Sequence, residues 1–143
     1  MKKNGFTLVE ILAVIVITAI ITVIASTGIS AVKKSINNNL LESNILLIEK
    51  SATNLGEDKK SYLETQTSSC TIDNKTYTPC ITLKVQSLID KYYIKTKEVD
   101  KEGHKVLINY TKDESDLSYY MNEESVYIYL DDNTVYAKYM GLL

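Results

Sequence analysis

Apolar side chains run almost without interruption from Phe6 to Ala25, and Glu10 is the only charged residue among them. About 20 such residues suffice to span a hydrocarbon core of roughly 30 Å as a helix, which predicts a transmembrane segment over 6–26. Beyond it, Ile29, Val32, Ile36, Leu40, Leu47, Ile48 and Leu55 recur at three, four or seven residues. That spacing predicts one helix from Phe6 to about Leu55, its second part (27–56) carrying an apolar stripe that needs cover. Asn37-Asn38-Asn39 weakens the pattern without breaking it, and Gly56 is the expected C-cap.

The periodicity then changes. Residues 57–92 read as a loop with a short helix: Ser61 to Pro79 is rich in Ser, Thr, Asn and Lys, while Thr82 to Tyr93 has mixed apolar spacing. From 93 to 143 the alternation is that of strands. Tyr93–Val99 and His104–Thr111 predict one hairpin around Asp100-Lys101-Glu102-Gly103. Val126–Leu130 and Thr134–Tyr139 predict another around Asp131-Asp132-Asn133, with Val126, Ile128 and Leu130 facing the helix and Tyr127 and Tyr129 on the opposite face. The expected fold class is therefore α+β, a long amino-terminal helix laid on a small carboxyl-terminal antiparallel sheet.

Composition narrows the function more than it names it. In 143 residues there is room for one modest domain besides the apolar helix. All 16 basic residues are lysine and the net charge is −2, so the chain as a whole shows no basic excess for nucleic acid. Nucleic acid enters the partner set only through Lys84, Lys91, Lys95 and Lys97, which are also what a solvated face looks like. His104 is the single histidine and no nucleophile pattern surrounds it, so no catalytic residue and no cofactor is expected. Asp131 and Asp132 offer oxygens to calcium, but a hairpin turn demands the same residues, and no metal site is assigned.

The chemistry concentrates at the amino terminus. A charge at bilayer depth costs about 2.5–3.5 kcal/mol on insertion scales, so Glu10 calls for compensation. An ordinary signal peptide cut after Ala25 would supply none, and Ser26-Thr27-Gly28 fits the small-residue cleavage pattern poorly. The stretch Gly5-Phe6-Thr7-Leu8-Val9-Glu10, behind Lys2-Lys3, resembles the signal of type IV prepilins and pseudopilins. The likeness is specific but local, covering about the first 25 residues. Ala19 stands where many members have glycine, and Thr27 where many have proline.

This resemblance implies a five-residue leader (1–5), cleavage between Gly5 and Phe6 by a prepilin peptidase, N-methylation of Phe6, and use of Glu10 in assembly. A glycine before the scissile bond lets the backbone approach a protease closely. The freed Phe6 amine lies one helical turn from Glu10, which can offset it within the chain or in a neighbour. The implied partners are homologous pilin subunits, the membrane and an inner-membrane assembly platform, in a filament serving adhesion or twitching, secretion, or DNA uptake. The implied topology is a single-pass membrane protein with a cytoplasmic amino terminus and an extracytoplasmic head. In such a compartment Cys70 and Cys80 are expected to form a disulfide; in a reducing one they would be free thiols. The competing readings are a membrane-anchored binding domain that never polymerises and a secreted enzyme.

Overall fold

The computed structural model describes residues 8–142, apart from the side chains of residues 21–27. Its contacts divide the chain into two units, one ending at Ile36 and one beginning at Asn37. A single helix, α1 (Leu8–Asp58), runs through both.

In the first unit every described residue of α1 is exposed, including Leu12 at 59% and Ile15 at 61%. Thr18 returns its hydroxyl to the carbonyls of Val14 and Ile15, at 2.8 and 2.9 Å, so its polarity is met within the helix. Phe6 and part of the span expected over 6–26 lie outside the described residues. Among the described residues no helix is long and apolar enough to cross a membrane.

In the second unit α1 has a packed face made by Leu41, Ile45, Ile48, Ala52 and Leu55. Their spacing of four and three residues puts them on one side of the helix. This corrects the stripe expected from sequence: Leu40 and Leu47 are exposed, and only Ile48 and Leu55 of that set reach the core here. The facing sheet comprises β3 (Cys80–Lys84), β4 (Ser125–Asp131) and β5 (Thr134–Gly141), antiparallel in the order β3-β4-β5. Register aligns Ile81, Ile128 and Ala137 in one row and Leu83, Val126 and Tyr139 in the next. Val126 and Ile128 are fully buried there and Leu130 packs at the edge, so the fold is α+β as the alternation predicts.

The β4–β5 turn falls at Asp132-Asn133, both with positive φ (47° and 62°). A two-residue turn of that conformation matches the natural strand twist, and Asp and Asn tolerate it best after glycine. Gly56 behaves otherwise than expected. It does not cap α1 but lies inside it, buried, where an added Cβ would stand 2.5 Å from Val135 Cγ1 and 2.6 Å from Ile128 Cγ2. Glycine is therefore demanded by close approach of helix and sheet, and α1 continues to Asp58.

Residues 57–92 hold more regular structure than a loop. They contain α2 (Lys60–Glu64), the hairpin β1 (Cys70–Ile72) and β2 (Lys75–Tyr77), β3, and α3 (Val85–Asp90). The helix expected over Thr82–Tyr93 is thus shorter, because Thr82–Lys84 pairs with β4 as an edge strand.

The hairpin expected over Tyr93–Thr111 is reduced to isolated bridges at Val99–Lys105 and Ile108–Tyr120. Val106, Leu107, Ile108 and Asn109 are buried consecutively, a pattern a two-faced strand cannot give. A sparse ladder remains, in which Val106 N donates to Glu98 O, Asn109 N to Tyr119 O and Met121 N to Leu107 O, and asparagine side chains supplement it. Asn122 accepts from Leu107 N (3.0 Å) and donates to Lys105 O (3.0 Å), while Asn44 and Asn37 donate to the carbonyls of Ile108 (3.0 Å) and Tyr110 (2.7 Å). Buried backbone polar groups must be paired, and these amides reach the ones that the bridges leave.

Candidate functional site

The amino-terminal motif begins before the described residues, and Gly5 and Phe6 lie outside them. Glu10 does not: it stands exposed in the first turn of α1. Its neighbours Leu8, Val9, Ile11 and Leu12 are 51–82% exposed, so the acid sits in an uncovered apolar surface.

The outer face of the head sheet is partly roofed. Cys70 and Cys80 form a disulfide with Cα atoms 5.7 Å apart, fixing the β1–β2 hairpin to the start of β3. Ile72 and the two cysteines make a small second core against which Tyr77, Tyr127 and Tyr129 pack. Tyr127 and Tyr129 do lie opposite the main core, yet the hairpin half-buries them, which the alternation of β4 alone could not show. Tyr77, Tyr129 and Tyr136 follow one another with ring centroids 4.3 and 5.8 Å apart.

The other candidates are absorbed by local structure. Asp131 is paired to Lys75 at 3.0 Å and Asp132 forms the hairpin turn. His104 Nδ1 lies 3.0 Å from Asp100 Oδ2, and Asp100 Oδ1 accepts the amides of Glu102 and His104. Burial raises the Asp100 pKa, but these bonds outweigh it and leave the group below its ordinary value. Asp100, Glu102 and His104 bring possible metal ligands within 4.8 Å of one another, on an exposed turn whose own hydrogen bonds use them. Lys84 is ion-paired to Glu123, which reduces its contribution to a basic face.

One buried carboxylate has no counterpart in the sequence reading. Glu124 is 3% exposed and accepts a hydrogen bond from the Tyr139 hydroxyl. Burial raises its pKa, the tyrosine bond opposing only in part, and the same burial with the adjacent acid raises the Tyr139 phenol well above its ordinary range.

A second unforeseen feature is a cavity of about 520 Å³ at the carboxyl-terminal end of α1. Leu55, Leu63, Ile81, Leu83 and Ile128 give it apolar walls; Lys59, Tyr62 and Lys91 also line it and, being exposed, mark its mouth. No sequence pattern announces it, because its walls come from four separate elements.

Residues 1–26 match the prokaryotic N-terminal methylation motif. The chain carries the prepilin motif of type IV pilins and pseudopilins. Those 26 residues include Gly5, Phe6 and Glu10, and the head is not part of the match. No curated protein and no solved structure matches the chain. The prepilin motif and the α+β arrangement of a long helix on an antiparallel sheet therefore stand side by side in one chain.

Proposed function

We propose that the protein is a type IV pilin-like structural subunit, cut between Gly5 and Phe6 by a prepilin peptidase and assembled into a surface filament or pseudopilus. The match of residues 1–26 to the methylation motif carries this reading. The subunit waits in the membrane with its amino terminus in the cytoplasm and its head outside, and an assembly platform extracts it. The apolar surface left uncovered on the first part of α1 supports this, since large exposed apolar patches mark surfaces that meet lipid or protein. The same surface suits both environments, so the subunit exchanges lipid for neighbouring helices without refolding. Glu10 and the Phe6 amine of an adjacent subunit pair during assembly and set register. The Cys70–Cys80 bridge agrees with an extracytoplasmic head.

The test is the intact mass, with amino-terminal fragmentation, of the protein purified from its native membrane. A chain beginning at N-methyl-Phe6 is expected. One still beginning at Met1 would make the protein a plain membrane-anchored domain, and one beginning after Ala25 a secreted protein.

A further inference from the structure

We propose that the cavity at the end of α1 receives the acidic loop around Leu117 of a second copy of this chain. This deepens the filament reading and rests on it.

Leu117 is the most exposed large apolar residue among those described, at 88%. It is held out by an ordered loop rather than left there by a loose one. Asp116 N donates to Asp113 O, Tyr119 N to Asp116 O, and the Asp116 carboxylate accepts both the amide and the hydroxyl of Ser118. Three carboxylates surround this leucine in sequence, Asp113, Glu114 and Asp116, against one ammonium, Lys112. Glu114 pairs with Lys101 at 2.8 Å and Asp116 with Lys112 at 3.5 Å, so with both lysines counted the loop keeps a net charge of −1, Asp113 being the carboxylate that makes no ion pair among the described residues.

The cavity is its complement. Its walls are aliphatic, and the ammonium groups of Lys59 and Lys91 at its mouth make no ion pair among the described residues. Tyrosine is enriched at binding surfaces because it adds contact area at low entropic cost, and Tyr62 at the mouth is 59% exposed. Next to Lys91, Tyr92 is 82% exposed and held at φ 62°. That conformation closes α3, since Tyr92 N donates to Ile89 O and Tyr93 N to Leu88 O, as at many helix C-termini.

Knob and cavity belong to different ends of the head. The loop is tied at Tyr110 to Asn37 and, through the Ile108–Tyr120 bridge, to Asn44, whereas the cavity begins at Leu55. These helix positions are 18 and 11 residues from Leu55, about 27 and 16 Å along the axis. One copy therefore cannot satisfy its own cavity. A contact between two different patches of identical subunits repeats without closing and generates a filament.

The test places Ser115→Cys in one copy and Ser61→Cys in another, beside the knob and the mouth and leaving both intact, expresses both with the native Cys70–Cys80 bridge, and treats sheared filaments with a short bismaleimide. A crosslinked dimer that needs both variants is expected. Leu117→Ser, which removes only an exposed side chain, should cut filament yield about tenfold. So should Lys59→Glu with Lys91→Glu, and Asp113→Lys with Glu114→Lys should restore assembly to that lysine variant. Filaments that form without the crosslink overturn the docking, whatever Leu117→Ser does, and leave the pilin reading standing. A wild-type chain that retains Met1 and builds no filament overturns both.

Discussion

Gly56 of α1 and Val135 of β5 are so close that a single Cβ on the glycine would lie 2.5 Å from Val135 Cγ1. Glycine inside a helix ordinarily costs about 1 kcal/mol relative to alanine. Here the sign reverses. Gly56→Ala should destabilise the head by about 1–3 kcal/mol in denaturant unfolding, because the β-branched neighbours Val135 and Ile128 have little rotamer freedom to yield. Val135→Ala, costly by itself at this buried position, should cost less when Gly56→Ala is present, so the double-mutant cycle should show favourable coupling between the two changes. A simple gain from Gly56→Ala would mean that the sheet stands farther from α1.

How much of this was legible beforehand differs by element. The β4–β5 hairpin was, because strict alternation and Asp131-Asp132-Asn133 are local signals and the structure uses them locally. Gly56 is not legible, because a glycine at a helix end looks the same whether it caps the helix or admits a sheet. Nor is the helix stripe, because apolar residues occupy more than one side of α1, and only packing reveals that Leu41, Ile45 and Ala52 belong with Ile48 and Leu55. Of the candidate site, the motif at Gly5-Phe6 and Glu10 is a contiguous signal, whereas the cavity near Lys59 and Lys91 is assembled from distant segments.

Asn122 completes the pairing of residues 105–107, and removing it should be felt well beyond one side chain. Asn122→Ala strips partners from Leu107 N and Lys105 O. Each buried group left unpaired costs about 1–3 kcal/mol. Hydrogen exchange should report it: the Leu107 amide is expected to exchange at least about tenfold faster, with β4 and β5 less affected. Uniform acceleration across the head would instead mean that residues 105–110 unfold only with the whole.

Glu124 gives the head a pH dependence opposite to that of an ion-paired acid. Its folded pKa is raised by burial, so the folded state holds the proton more tightly than the unfolded chain. The associated stability is fully present below the ordinary carboxylate value, about 4.3, and is lost as pH rises through the raised value. Asp116 contributes in the other sense: its pKa is lowered first by the Ser118 amide, and its stability disappears as pH falls. Glu124→Gln keeps an acceptor for Tyr139 but cannot ionise. The stability difference between this variant and wild type, followed by thermal melts from pH 4 upward (about the ordinary carboxylate value), should grow in favour of glutamine as pH rises. A difference independent of pH would show that Glu124 titrates normally.

The remaining prediction separates processing from assembly at the amino terminus. Gly5→Ala should still allow some cutting, but Gly5→Val should abolish it, because a branched side chain obstructs close backbone approach by the peptidase. Glu10→Val should behave differently. Removing the carboxylate eases insertion, by at most about 2.5–3.5 kcal/mol because Glu10 lies near one end of the expected span, so this chain should reach the membrane and mature to Phe6. On the proposed pilin-like reading, expressed as the sole subunit it should then fail to polymerise, since the Phe6 amine of each incoming copy would meet no acid in its neighbour. Immunoblots of membranes and sheared filaments, with amino-terminal mass analysis, would read both steps at once. Normal filaments from Glu10→Val would show that the acid is dispensable, and that burial between apolar helices alone sets the register.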